Sequence, residues 1–405
     1  MKLIVAGQNF WIQGGADRVL MDHIAILEER GHVCAPFAAQ HAKNLPTKWS
    51  RFFPEGANIK SPKPADVVAF VYSLRSKKAI AALLDELKPD VVHCHIYYGS
   101  LTSSIISEVK RRKIPLIQTL HEYKIVCPVY TNVLHGESCN RCSGFKFYNA
   151  VLNRCNRGSL ARSAVSMLES YVSYANGAVS AFDKFVTVSD FLRNKVISMG
   201  VPADKVVTVY NPIDTEQLQP SPQHDGYFLY YGRIEIDKGV MVLLEAMRAL
   251  PHLRLHMVGT GAALPQVQQY IAEHGMTHVS CLGYLTGEAL AAQIKHTFCT
   301  VVPSIWEETF GLTAAESMAY GKPVIAARIG GLPEVVEHQV SGLLVEPKSV
   351  ESLRQAISYL HEHPHVAADM ALAARAKIVN TFSRDIYYQN MLNVYREFVP
   401  DAIAS

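Results

Sequence analysis

Pro303-Ser-Ile-Trp-Glu-Glu-Thr-Phe-Gly-Leu-Thr-Ala-Ala-Glu-Ser-Met-Ala-Tyr-Gly-Lys-Pro323 is the stretch from which the rest of the chain is read. The apolar run Thr300-Val-Val leads into it and predicts a strand that ends at Pro303. A turn carries the chain to Phe310-Gly311. Good helix formers follow, Ala314-Ala-Glu-Ser-Met-Ala319, stopping at Gly321 with a proline two residues on. Glu308 falls in the turn and Glu316 in the helix, with seven residues between them. The amides of Gly311, Leu312 and Thr313 open the helix and have no acceptor within it. Such an N-terminus, with a glycine that lets the backbone come close, seats a phosphate. Two carboxylates beside an anion cradle suit a ligand bearing both phosphates and hydroxyls.

The flanking segments repeat the strand-to-loop form. Tyr227–Tyr231 reads as a strand, Gly232-Arg-Ile-Glu-Ile-Asp-Lys-Gly239 as its exit loop and Val240–Ala249 as the next helix. Arg233 and Lys238 therefore sit where a strand-end loop can reach a diphosphate. Leu253–Gly259 with Gly261 has the same form, and Val279–Gly283 leads to Tyr284. Val324-Ile-Ala326 leads to Gly330-Gly331 and Glu334. Taken alone, Glu308 and Glu316 would read as surface glutamates of an ordinary strand–turn–helix unit. The segments in register around them argue otherwise.

Gly232-Arg233, Lys238-Gly239, the Glu308…Glu316 stretch, Gly330-Gly331 and Glu334 together resemble the signature of glycosyltransferase family 4. These are retaining enzymes of the GT-B fold that use nucleotide-sugar donors. The resemblance implies an α/β protein of two Rossmann-like domains facing a cleft. It implies Arg233 and Lys238 on the diphosphate, Glu308 on the donor-sugar hydroxyls and Glu316 on the ribose. Gly232, Gly259, Phe310, Gly311, Leu312 and Thr313 would surround the donor, with Tyr284 against the base. The acceptor would be a hydroxyl of a glycan or a lipid-linked glycan. No Asp-x-Asp motif occurs, and the two cations take its charge-neutralising part, so no cofactor is expected for catalysis.

In the N-terminal half, apolar runs alternate with helical patterns: Leu3–Ala6, Ala16–Arg30, Val33–Phe37, Val91–His95 and Leu116–Thr119. That alternation implies a parallel sheet covered on both faces, with ligands at the carboxyl ends of its strands. Gly14-Gly15 opens the first helix, either as a plain turn or as a loop approaching the donor or acceptor. The resemblance favours the second. His93 and His95 share one side of a strand end, as a metal pair, as packed rings or as acceptor-facing groups. His121 follows the next strand, where the resemblance places a cleft histidine near the reacting sugar.

Cys139-Asn-Arg-Cys142 has Cys127 eleven residues before it and Cys155 twelve after. Four thiols so arranged either enclose a structural zinc or stay buried and free. A similar cysteine-bearing insert occurs in some polysaccharide-building members of the resembled family. Residues 145–176 are rich in aromatics and bases, with Glu169 the one acid.

The 405 residues suggest two or three domains. We expect a first domain over 1–205, a second over 206–383 and a last helix, 384–405, crossing back to the first. Net charge is +3, yet residues 1–200 carry +10 and the remainder −7. The basic half is a candidate for an anionic membrane surface. No run of about eighteen apolar residues exists, and the N-terminus reads as a buried strand, so a cytoplasmic protein with reduced cysteines is expected. Two alternatives use the same fold: a nucleotide-sugar epimerase, and a partner subunit with a degenerate site. Nucleic-acid motifs are absent, and the dinucleotide glycine spacing is not met.

Overall fold

The computed structural model describes residues 1–58 and 63–400. The chain forms two compact units, one of Met1–Pro212 with Tyr387–Ser405 and one of Ile213–Ile386.

In the first unit, β1 (Lys2–Ala6), β2 (Val33–Phe37), β3 (Val91–Cys94), β4 (Leu116–Leu120), β7 (Lys184–Thr187) and β8 (Val206–Thr208) form one sheet in the order β2-β1-β3-β4-β7-β8. Every pairing in it is parallel. A two-stranded hairpin, β5 (Val133–Leu134) with β6 (Glu137–Ser138), lies apart from the sheet. β3 and β4 are buried throughout, as parallel strands covered on both faces must be, which explains their unbroken apolar character. Leu3, Val5, Leu20, Ile24, Leu27, Val91 and Ile117 form the core.

The second unit holds β9 (Tyr227–Tyr231), β10 (Arg254–Val258), β11 (Val279–Gly283), β12 (Cys299–Val302), β13 (Val324–Ala327) and β14 (Gly342–Val345). Their order is β11-β10-β9-β12-β13-β14, again all parallel. This is the doubly wound order in which the chain reverses direction between the first and fourth strands. Here that switch lies between β9 and β12, where such sheets bind ligands.

The boundaries differ from those the sequence suggested. β8 pairs with β7, Phe185 opposite Val206, so Val206–Thr208 belongs to the first sheet and not to the second domain. The apolar run alone does not say which sheet takes it. The last helix is Arg384–Arg396. Tyr387, Met391, Val394 and Tyr395 join the first unit's core. Along this last segment Met391 and Val394 are buried, while Ile386 and Phe398 are half-buried. The helix ends before 405, and residues 401–405 lie outside the described ones.

Candidate active site

The switch point of the second unit brings together the residues singled out on its loops. Lys238 closes a short turn, Ile236–Lys238, in the loop after β9, and Glu308 lies in the loop after β12. Their side chains meet at 2.7 Å, with 17% and 15% of each exposed. Backbone bonds hold the two loops in that register: the amides of Ile305 and Trp306 donate to the Asp237 carbonyl at 2.9 and 3.1 Å. The Lys238 ammonium also lies 4.7 Å from the centre of the Trp306 ring, a favourable cation–π contact. Arg233 is exposed, and its guanidinium has no ion-pair partner among the described residues. The loop that carries it is held by Tyr230, whose hydroxyl donates to the Arg233 carbonyl.

Two glycines make this packing possible. Gly239 has φ +71°, and a Cβ on it would stand 1.9 Å from the Pro303 carbonyl oxygen. Gly330 has φ +61°, and its Cβ would stand 2.3 Å from the Glu308 carbonyl oxygen. A side chain at either position would separate the loops. The Gly331 amide completes the seat by donating to the Glu308 carbonyl at 2.7 Å.

The helix Leu312–Ala319 begins at Gly311 (φ +113°), so its opening amides point out of the turn that carries Glu308. Glu316, in its second turn, is half-buried. Tyr231, the last residue of β9, donates to the Thr313 carbonyl at 2.8 Å and lies 3.5 Å from a Glu316 carboxylate oxygen. Its hydroxyl is also 3.2 Å from Ser317 Oγ, which donates to Thr300 on β12 at 2.9 Å. A strand end, a helix start and a carboxylate are thereby tied by one phenol. Gly232 and Gly259 adjoin it at the exits of β9 and β10, the Gly232 amide donating to Val258 and the Gly259 amide to Gly283.

One expectation narrows. The Phe310 ring is buried and packs edge-on against Phe382, centroids 5.5 Å apart. It is a core side chain, which leaves its backbone alone for a ligand. Tyr284 follows β11 and is 69% exposed.

In the first unit, Gly14 and Gly15 open the helix Gly15–Glu29 and are exposed. The Asp17 carboxylate accepts from the Gln13 and Gly14 amides at 3.2 and 3.1 Å. A carboxylate of the chain itself thus takes the donors that an anion would use. Burial pushes the Asp17 carboxyl above its ordinary range, against these hydrogen bonds.

His121 follows β4 and joins a buried histidine cluster. Its Nε2 lies 2.8 Å from His95 Nδ1, and the two rings stack at 5.1 Å. His95 stacks on His93, which meets Tyr395 at 2.6 Å through Nδ1 and Thr119 at 2.8 Å through Nε2. His23 meets Tyr387 at 2.7 Å and Tyr395 at 3.0 Å. His93 and His95 are thus packed rings. Burial holds every imidazole in the group neutral: His121 falls to about 4, His23 to about 3, and His93 and His95 lie well below the ordinary value. His95 Nε2 is buried with no hydrogen-bond partner among the described residues.

Glu122, beside His121, escaped the sequence reading. Burial pushes its carboxyl up to about 7, with Lys124 opposing. Its position two residues past the end of β4 was the available signal. Tyr231 and Trp306 were passed over too, because a strand-end tyrosine and a loop tryptophan look like core residues.

Cys127, Cys139, Cys142 and Cys155 line one small cavity with Val129, Asn132 and Ala150. All are free thiols. Burial raises Cys127 and Cys155 and pushes Cys142 up to about 12, so they are protonated. The segment gathers its cysteines as the spacing suggested. Among the described residues, however, no three His, Cys, Asp or Glu side chains are arranged to hold a metal ion. As they stand the four thiols line one cavity, Cys127 and Cys142 buried and Cys139 and Cys155 half-buried, and no zinc is assigned to them.

Residues 13–217, just over half of the chain, match the model of Glycosyltransferase Family 4, and residues 214–377 match that of the glycosyl transferases group 1. The chain is a family 4 glycosyltransferase. An uncharacterised glycosyltransferase of Methanocaldococcus jannaschii is 26% identical over 320 residues, 74% of this chain and 71% of that one. D-rhamnosyltransferase WbpZ of Pseudomonas aeruginosa is 28% identical over 226 residues, 54% of this chain and 58% of that one. The stretches aligned with curated relatives thus range from about half to about seven tenths of the relatives' own lengths. Among solved structures, Anabaena HepE in complex with UDP-glucose matches with a TM-score of 0.70 at 20% identity, covering 98% of this chain and 100% of that one. Likeness at that identity shows the fold, and with the two parallel-sheet units it makes this family 4 glycosyltransferase a GT-B protein.

Proposed function

We propose that this glycosyltransferase moves a hexosyl group from a nucleotide sugar to a hydroxyl of a glycan or lipid-linked glycan, with retention at the anomeric carbon, in the building of a cell-surface polysaccharide. The observation that carries this is the Lys238–Glu308 pair at the β9/β12 switch, beside exposed Arg233 and the start of the helix Leu312–Ala319. Arg233 and Lys238 neutralise the charge that builds on the departing diphosphate. The opening amides of the helix add donors to the same phosphates. Glu308 accepts from donor-sugar hydroxyls, and Glu316, steadied by Tyr231, accepts from the ribose.

On this reading the side chains position and neutralise. The leaving phosphate takes the acceptor's proton on the face where the new bond forms. His121 and Glu122 stand on the acceptor side, His121 as a neutral ring able to donate or accept. With two cations at the phosphates and no Asp-x-Asp motif, the reaction proceeds without a divalent metal. The free thiols suit a reducing, cytoplasmic setting. A UDP-glucose complex of a structural neighbour supports a nucleotide-sugar donor for this chain.

A thermal-shift screen of nucleoside diphosphates and nucleotide sugars tests the donor. A ligand at a hundred times its dissociation constant stabilises the protein by ~2.7 kcal/mol. Incubation of the donor with and without acceptor glycans, in excess EDTA, then tests the reaction. Transfer that needs an acceptor and survives EDTA supports the proposal. Epimerised sugar formed from donor alone would assign the protein to the epimerase class, and no binding to a partner subunit.

A further inference from the structure

The helix Leu160–Ala175 in the first unit is turned inside out. Its buried residues are polar: Ser163, Ser166, Glu169, Ser170 and Ser173. Each polar group has a use there. Ser163 and Ser166 accept from Asn156 at 3.0 and 2.9 Å, and Ser173 donates to Glu169 at 2.9 Å. Glu169 is paired with Lys124. The outward side carries Leu160 (54% exposed), Leu168 (50%) and Tyr171 (36%), and the short helix Asn149–Leu152, packed against it, adds Leu152 at 73%. A surface helix ordinarily buries its apolar stripe and wets its polar one. This one does the reverse, so its apolar face is made for something other than this unit's core.

Charge says what that something is. Between Ser138 and Phe182 the only acid is Glu169, which is buried and neutralised, while Arg141, Lys146, Arg154, Arg157 and Arg162 supply five bases. Arg154, Arg157 and Arg162 are exposed, and none has an ion-pair partner among the described residues. Arg154 and Arg157 hold left-handed backbone, φ +47° and +52°, flanking the loop between the two helices. The basic run Arg111-Arg112-Lys113 differs: Arg111 and Arg112 pair with Glu108, and Arg112 also with Asp85. Three bases without a counter-ion, Arg154, Arg157 and Arg162, thus stand where leucines and tyrosines are exposed. Tyr148, Tyr171 and Tyr174 stand 47%, 36% and 44% exposed, each ring partly out, as suits a headgroup boundary.

We propose that the outward leucines Leu152, Leu160 and Leu168, together with Arg154 and Arg157 in the preceding loop and Arg162 at the start of the helix, dock on an anionic bilayer surface. The leucines enter the acyl boundary and the arginines meet lipid phosphates; among the described residues no helix is long and apolar enough to cross a membrane. This deepens the lipid-linked acceptor reading, yet it is tested without donor or acceptor, so either can fail alone.

The test is sedimentation of the full chain with vesicles of phosphatidylcholine alone or mixed with phosphatidylglycerol. Binding is expected only with the mixed vesicles and falls as salt rises. Changing Arg154, Arg157 and Arg162 to Ser lowers partitioning by about 100-fold, roughly fivefold per base. Changing Leu152, Leu160 and Leu168 to Ser abolishes the binding that remains at moderate salt. A charge-matched control, Lys43→Gln with Lys78→Gln and Lys88→Asn, keeps most of it. Circular dichroism melts of each variant show that it folds. Equal recovery in the supernatant with both vesicles at low salt overturns the proposal, as does equal loss in the lysine control. A concentration-dependent dimer that the leucine variant abolishes, without vesicle binding, overturns it in favour of a second copy.

Discussion

The Lys238 ammonium donates to Glu308 at 2.7 Å across two loops that leave neighbouring strands β9 and β12, so the two residues are held as one electrostatic unit. Replacing Lys238 with Ala removes a phosphate-neutralising charge and leaves the Glu308 carboxylate partly buried without its counter-ion. Turnover should fall by about 100-fold or more. Glu308→Gln should retain nucleoside diphosphate binding better than Lys238→Ala, because it leaves the cation in place. Steady-state kinetics with isothermal titration of the nucleoside diphosphate checks both. Wild-type turnover in folded Lys238→Ala would remove the assignment.

Gly330→Ala attacks the same unit through the backbone. The added Cβ meets the Glu308 carbonyl, and the positive φ adds strain of about 1–3 kcal/mol. The melting temperature should drop and donor affinity weaken together. An unchanged melt with full activity would show that the loops can part without cost.

Tyr231→Phe deletes one hydroxyl while keeping the ring that packs at the end of β9. Stability should fall by about 1 kcal/mol. Affinity for nucleoside diphosphates should weaken several-fold, whereas pyrophosphate, which has no ribose, should bind as before. Equal weakening of both ligands would detach Glu316 from the ribose.

The histidine cluster makes stability depend on pH with a definite sign. Burial lowers these imidazoles, so below the ordinary value of 6.5 the unfolded chain binds more protons than the folded one. Their contribution is complete above pH 6.5 and is lost as pH falls toward about 4 for His121 and about 3 for His23. For fully buried His23 alone, the change from pH 7 to pH 5 is of the order of 2 kcal/mol. Glu122 acts oppositely: raised from 4.5 to about 7, it favours the folded state as pH falls through that window. Four imidazoles outweigh one carboxyl, so urea midpoints should be lower at pH 5 than at pH 7.5. His23→Gln should flatten the slope, and a midpoint that rises on acidification would contradict this account.

The sequence carried the architecture well where local chemistry and long-range order coincide. Strand ends followed by glycine and charged residues marked Gly232, Lys238 and Glu308, because close loop packing requires small residues whatever the neighbours. The partnership of Lys238 with Glu308 was not legible, since it depends on β12 lying beside β9, a non-sequential neighbour. Phe310 misled for the opposite reason. It sits amid site residues, yet its ring turns toward Phe382, seventy-two positions away. His93 and His95 alternated as a strand pair should, but the tyrosines that meet the cluster, Tyr387 and Tyr395, come from the far end of the chain. The inverted helix shows in the sequence as serines at helical spacing, a pattern that ordinarily marks a wet face.

The first unit leaves off at Pro212 and resumes at Tyr387, and this order constrains how the protein is made. Residues 213–386 are translated as an uninterrupted block and can close their own sheet while synthesis continues. The earlier 212 residues cannot finish, because the phenols for His23 and His93 have not yet been built. The half made first is therefore the half completed last. Until then its imidazoles and the floor beneath β1 stay open to water. A stop codon just after Ile386 would spare the second unit and undo the first.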